Sequence, residues 1–194
     1  MSDITNVLIV GVGGQGTILA SRVLAGVLQR AGLDVKVSEI HGMAQRGGSV
    51  VTQVRFGEKV ASPIIPQSEA DIILAFEKLE ALRWLNYLKK DGYILVNNQQ
   101  IDPMPVVTGV AKYPGNVLDL IKKECKNVLI IDALQKAIDS GSSKTVNVVL
   151  LGLLSAYLEF DWQLWLDALN EFVPPKLVDI NIKAFFAGRT AGGN

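Results

Sequence analysis

Val7-Leu8-Ile9-Val10-Gly11-Val12-Gly13-Gly14-Gln15-Gly16 is the stretch on which the fold turns. Its first four residues form a continuous β-branched and apolar run, the pattern of a strand buried on both faces of a parallel sheet. Gly11, Gly13 and Gly16 then satisfy G-x-G-x-x-G, with an extra glycine at Gly14. Beyond the turn, apolar residues recur at helical spacing through Ile18, Leu19, Val23, Leu24, Val27 and Leu28, and Gly32 stands in C-cap position. Residues 35–40 read as a second strand. Strand, helix and strand make a βαβ unit, whose crossover is right-handed almost without exception. The expected class is therefore α/β: a Rossmann-like, mostly parallel sheet flanked by helices.

Working outward, residues 50–56 alternate as a strand, with Thr52, Gln53 and Arg55 interleaved. Residues 70–76 read as another buried strand, 78–89 as an amphipathic helix, 93–97 as a strand, and Pro103 and Pro105 as a loop. A helix over 116–123 and a short strand over 128–131 follow. The last third is mainly helical, over 133–140, 144–158, 162–171 and 176–186, with turns at Gly141-Ser142-Ser143, Asp161 and Pro174-Pro175. Residues 188–194 read as a loose tail. Neither a repeat nor a long linker divides the chain, so residues 1–194 are expected to form one domain, of a size that buries a substantial core.

The glycine turn has several physical readings. One glycine allows the tight turn, another lets the backbone approach a phosphate, and the third lets helix and strand pack closely. Free N–H groups and the helix dipole favour an anion there. Glu39 closes the second strand about 20 residues past the turn, where a dinucleotide-binding protein places its ribose-binding carboxylate. The turn alone thus suggests a nicotinamide dehydrogenase. Gly14 and Gln15 also suit an adenylate-forming enzyme of the ubiquitin-activating type, and the same glycines can serve packing with no ligand at all.

A second stretch, Glu39-Ile40-His41-Gly42-Met43-Ala44-Gln45-Arg46-Gly47-Gly48-Ser49-Val50, is more specific. Three glycines bracket one arginine at the carboxyl end of a strand, the edge where ligands meet an open α/β sheet. Arg46 can make a planar bidentate contact to a carboxylate or phosphate. His41 is the sole histidine; with no nucleophile beside it, it suits hydrogen bonding or stacking better than base catalysis or metal binding.

The two stretches together resemble the gamma subunit or domain of the 2-oxoacid:ferredoxin oxidoreductases. Many relatives carry Tyr-Gly before the variable triplet. Here His41-Gly42 precedes Met43-Ala44-Gln45, which is similar to the beta subunit of the indolepyruvate-type enzymes, and Thr145-Val146-Asn147-Val148-Val149-Leu150-Leu151-Gly152 is similar to the family's later asparagine-and-glycine helix. The resemblance implies oxidative decarboxylation of a 2-oxoacid, an arylpyruvate such as indolepyruvate, to the acyl-CoA with reduction of ferredoxin. It implies a larger alpha subunit holding thiamine diphosphate and [4Fe-4S] clusters. This chain would complete the complex, inactive alone and with no evident catalytic residue of its own. Gly11, Gly13, Gly14, Gln15 and Gly16 would hold coenzyme A or another phosphate, while His41, Gly42, Met43, Gln45, Arg46, Gly47 and Gly48 would complete the active-site wall or an interface.

Composition narrows the alternatives. Lysines and arginines match aspartates and glutamates at 19 each, so no bulk field attracts nucleic acid or a membrane surface. One cysteine, Cys125, cannot hold an Fe–S cluster or a cysteine zinc site; it reads as the end of a helix. The longest apolar stretch, 146–158, falls short of the roughly 20 residues a span needs, and the N-terminus lacks a secretion signal, so a cytoplasmic protein is expected. A mean hydropathy of +0.29 fits either apolar surface covered by a partner or the parallel sheet itself. Two other classes stay open: a stand-alone NAD(P)-dependent dehydrogenase, and a scaffold subunit whose glycine turn holds nothing.

Overall fold

β1 (Thr5–Val12), the strand that runs into the glycine turn, is buried from Asn6 onward, and its side chains feed two cores. Val7 and Ile9 point into one cluster with Val23, Leu24, Val27 and Leu150. Leu8 and Val10 point into the other with Ile73, Ile94 and Ile121. That two-faced burial is why the run is apolar without alternation, and each such side chain contributes about 1.5–3 kcal/mol. The computed structural model describes residues 4–41 and 47–193.

In chain order β1 is followed by α1 (Thr17–Arg30), β2 (Asp34–His41), β3 (Ser49–Gly57), β4 (Ala70–Ala75), α2 (Lys78–Arg83), β5 (Leu88–Asn97) and α3 (Met104–Val107). Then come α4 (Val117–Glu124), β6 (Asn127–Ile131), α5 (Ala133–Asp139), α6 (Val146–Ser155), α7 (Trp162–Phe172) and α8 (Val178–Ala191). The strands form one six-stranded sheet in the order β2-β3-β1-β4-β5-β6. β1, β4, β5 and β6 pair in parallel, while β3 runs antiparallel to both of its neighbours. α1 and α5 to α8 cover one face and α2 and α4 the other. The expected α/β class, mostly parallel sheet and helical last third are what the fold shows.

The sheet order carries one surprise for the βαβ reading. β2 lies parallel to β1, but β3 is wedged between them. Glu39 aligns with Thr52 and, through it, with Ile9, one strand spacing, about 5 Å, further from β1 than in a sheet whose first two strands are neighbours. Its carboxylate accepts a hydrogen bond from Ser21 Oγ on α1 at 2.8 Å.

Three local expectations are corrected. The helix expected over 78–89 ends at Arg83; a 3-10 turn, Leu85–Tyr87, follows, and β5 already begins at Leu88. Pairing with β4 wins over helical periodicity there, and Gly92 makes it possible, since a Cβ would meet the Asp71 and Ala70 carbonyl oxygens at 2.9 and 3.0 Å. Pro103 and Pro105 flank the start of a one-turn helix, α3, rather than lying in plain loop. The tail expected from residue 188 is instead the end of α8. Gly188 is buried against α6, where a Cβ would overlap the Val149 carbonyl oxygen, and a Cβ on Gly152 would overlap that of Phe185. The two helices therefore touch backbone to backbone. Arg189 locks them by donating from Nη1 to Ser155 O at 2.8 Å and Oγ at 3.0 Å.

No described helix is long and apolar enough to cross a membrane. Cys125 is the C-cap of α4, and burial pushes its thiol pKa up, with Glu124 adding to the shift.

Candidate functional site

β1, β4 and β5 end side by side, and the chain behind each is bound to the others by amides. Phe76 N–H donates to Val10 O at 2.8 Å, continuing the parallel ladder past β4. Gln15 Oε1 accepts from Val12 N–H at 2.7 Å, and its Nε2 donates to Phe76 O at 3.0 Å and Gln99 Oε1 at 3.2 Å. Asn97, fully buried, donates from Nδ2 to Phe76 O at 3.1 Å and accepts from Ala133 N–H at 3.1 Å. Buried amides without partners would cost about 1–3 kcal/mol each; here they stitch the ends of β1, β4, β5 and the start of α5 into one rim. Gln15 is thus a fastener of the turn. Gly11 clears the space for it, since a Cβ would meet Gln15 Oε1 at 2.9 Å and Phe76 Cβ at 3.0 Å.

The turn itself opens α1. Gly16 is the N-cap, in the left-handed region at φ 82, and no side chain caps the helix. A Cβ on Gly16 would meet Asn147 Nδ2 at 2.7 Å, so the first residue pair of α6 sits against the start of α1. Asn147, buried, accepts from Val148 N–H at 3.0 Å. The resulting cavity, about 500 Å³, is lined by the glycine turn, Gly47, Gln99, Ile101, Leu134, Ser143, Lys144 and Asn147. Among the described residues, Lys144 is the cation in that lining, and no described carboxylate pairs with it. A glycine cradle, an uncapped helix N-terminus and a free ammonium make the cavity chemically suited to an anion. A larger cavity of about 780 Å³, walled by Phe56, Tyr93, Tyr157 and Phe160, opens at the opposite edge. Ligands of open α/β sheets bind outside the carboxyl ends of the strands, so the smaller one is the candidate site.

The two sequence stretches meet there. Gly13 N–H donates to Gly48 O at 2.8 Å and Gly47 N–H to Gly13 O at 3.4 Å. Gly11, Gly13, Gly14, Gln15, Gly16, Gly47 and Gly48 are thereby brought together, the last two from the far end of the arginine stretch. Gly42, Met43, Gln45, Arg46 and the side chain of His41 lie outside the described residues. Glu39, by contrast, points to α1 as described above and does not line the cavity.

Sequence reasoning missed Ser143, Lys144, Gln99 and two buried carboxylates behind the rim. Glu77 and Glu80 are 1% and 2% exposed. Glu77 caps α2, accepting from Glu80 N–H at 2.9 Å, and also takes Tyr113 Oη–H at 2.5 Å and Ile101 N–H at 3.3 Å. Burial, then the hydrogen bond to Glu77 and after it the Glu77 charge, push the Tyr113 phenol pKa well up. Glu80 accepts from Ser49 Oγ and from Arg83 Nη1, each at 2.5 Å. The available signal was the polar run Asn97-Asn98-Gln99-Gln100 directly after an apolar strand; Ser143-Lys144 reads only as a turn.

Comparison with known proteins bears on the family and the fold. The family described as pyruvate ferredoxin/flavodoxin oxidoreductase matches residues 6–191. The chain is 43% identical over 190 residues to indolepyruvate oxidoreductase subunit IorB of Thermococcus kodakarensis, covering 94% of this chain and 93% of that one. Among solved structures, the gamma subunit of a keto/oxoacid ferredoxin oxidoreductase from Geobacter sulfurreducens superposes with a TM-score of 0.72 at 23% identity, covering 97% of this chain and 98% of that one. A 2-oxoglutarate:ferredoxin oxidoreductase from Magnetococcus marinus superposes with a TM-score of 0.75 at 20% identity, over 100% of this chain but 32% of that one.

Proposed function

The chain belongs to the pyruvate ferredoxin/flavodoxin oxidoreductase family, and from that premise we propose that it is the small subunit of a 2-oxoacid:ferredoxin oxidoreductase acting on indolepyruvate or a related arylpyruvate. The observation that carries the reading is the cavity in which the glycine turn, Lys144 and the end of the arginine stretch converge. Its role is to hold the phosphate end of coenzyme A at the carboxyl edge of the sheet, with residues 41–48 completing the wall of an active site whose other parts come from a larger subunit. IorB relatives, 40–43% identical, support the arylpyruvate preference.

The donor set fits that division of labour. The chain's single cysteine cannot bind a cluster. The decarboxylation chemistry of thiamine diphosphate and the electron transfer of [4Fe-4S] clusters would then belong to the larger subunit. This chain contributes backbone N–H groups and one ammonium that neutralise phosphate charge, and a rigid rim that fixes where the acyl acceptor lies. A dehydrogenase reading loses its ribose-binding carboxylate, because Glu39 is engaged by Ser21 beyond an intervening strand.

Co-expression with a large subunit of the same family tests the proposal. The purified pair is expected to reduce ferredoxin with indolepyruvate and coenzyme A, with a higher kcat/KM for aryl than for alkyl 2-oxoacids. The isolated chain is expected to bind coenzyme A weakly and to turn nothing over. Turnover by this chain alone, or tight saturable NAD binding, would overturn the reading.

A further inference from the structure

We propose that Glu80 is a positioning residue that fixes the return leg of the arginine stretch, residues 47–49, through the hydroxyl of Ser49. The role of that stretch in an active-site wall rests on the function proposed above; the positioning itself does not.

A carboxylate that is 2% exposed on a six-residue helix is costly to place. Burying it uncompensated costs several kcal/mol, whereas an apolar side chain would fill the space at no such expense. The two oxygens of Glu80 show what is obtained in return. One takes Arg83 Nη1 at 2.5 Å, a charge partner from the same helix. The other takes Ser49 Oγ at 2.5 Å, from a segment 31 residues earlier. Ser49 is the first residue of β3 and stands opposite Val12, at the mouth of the glycine turn. Its neighbours complete the linkage, for Gly48 O accepts from Gly13 N–H and Gly47 N–H donates to Gly13 O. One continuous path of polar contacts therefore runs Arg83, Glu80, Ser49, Gly48, Gly13, from the back of the sheet to the cradle.

The near end of that path is itself held. Glu77 caps α2 on the Glu80 amide, and the Tyr113 hydroxyl and Ile101 N–H hold Glu77 from the other side. Glu77 thus ties the segment that follows β5, where Ile101 lines the cavity, to the same short helix that Glu80 ties to β3. A charged acceptor suits this place because two short charge-assisted bonds converge on it; a glutamine would turn a donor toward either Arg83 or Ser49.

Ser49→Ala is the decisive variant, because it cuts the arm while leaving the Glu80–Arg83 pair in place. In the full chain, amide hydrogen exchange of Gly13 and Gly47 is expected to accelerate about tenfold, beyond any acceleration in β4 and β5, with the thermal midpoint lowered by only a few degrees. Ser49→Thr, which keeps the hydroxyl on a strand-compatible side chain, is expected to restore protection. Unchanged exchange at Gly13 and Gly47, or acceleration shared equally by β4 and β5, overturns the proposal whatever the activity. In the assembled enzyme Ser49→Ala is expected to lower kcat several-fold with assembly intact. Lost protection with full kcat would uphold Glu80 as a positioning residue and overturn instead the placing of residues 41–48 in the active-site wall.

Discussion

Glycine does opposite work in two regions of this molecule. Between α6 and α8, Gly152 and Gly188 abolish space, so that two helices meet through their backbones and Arg189 can reach Ser155. At the turn, Gly11, Gly14 and Gly16 create space, for an amide fastener and for a cavity that opens to solvent. The comparison separates stability from function. A methyl group added at the first pair meets carbonyl oxygens that cannot yield, whereas at Gly16 it meets the end of the Asn147 side chain and at Gly14 nothing.

The largest effect is expected at the helix contact. Gly188→Ala or Gly152→Ala should cost about 3 kcal/mol or more, the upper end of overpacking, read as a fall in denaturant midpoint at constant slope. A loss below about 1 kcal/mol would mean that the helices separate cheaply and would dissolve the contrast. Gly16→Ala should cost less, about 1–2 kcal/mol for the left-handed backbone, because Asn147 Nδ2 can swing aside. Its signature is weaker coenzyme A binding in a protein that still unfolds cooperatively. Lys144→Ala should change stability by less than about 0.5 kcal/mol, as for an ordinary surface site, yet weaken coenzyme A about tenfold. Calorimetric titration that finds equal affinity would leave the turn a packing device, like its counterpart between the helices.

The smallest effect lies in alkali. The Tyr113 phenol is raised in the fold by burial and by Glu77, so the folded state holds its proton when the unfolded chain, near pH 10, has released it. The stability Tyr113 contributes is therefore full below that pH and declines as pH rises toward the folded value. Tyr113→Phe should flatten that decline, measured as the difference between variant and parent in urea unfolding at pH 9 and above. An identical slope in both would separate Glu77 from the phenol.

Much of this was legible in the chain, for identifiable reasons. The run 7–10, the turn and the helix beyond it report their own burial and period, so β1, the cradle and α1 could be read directly. Strand order could not, because β2 and β3 carry the same residues whether or not they are neighbours of β1, and only the fold shows β3 between β1 and β2. Gly188 resembled a helix breaker since its partner, Val149, is remote in sequence. Leucines at 79, 82 and 85 suggested a longer α2, but pairing of Ala70 with Leu88 claims the chain for β5. In the site, the glycines announced themselves, whereas Lys144 arrives only because α6 packs its first turn against Gly16. Glu77 and Glu80 looked like ordinary helix-surface charges, as most glutamates are.

The reversed direction of β3 has a consequence for how such a protein can change over time. In a wholly parallel sheet each strand sends to the ligand edge only the connection that follows it. β3 instead receives its chain at that edge, so that Gly47, two residues ahead of the strand, lines the cavity. Lengthening a connection of this kind adds little closure entropy. One inverted strand therefore brings a strand-to-strand connection to the ligand edge of the sheet beside the glycine turn, where its length can change while β1 and α1 keep their places.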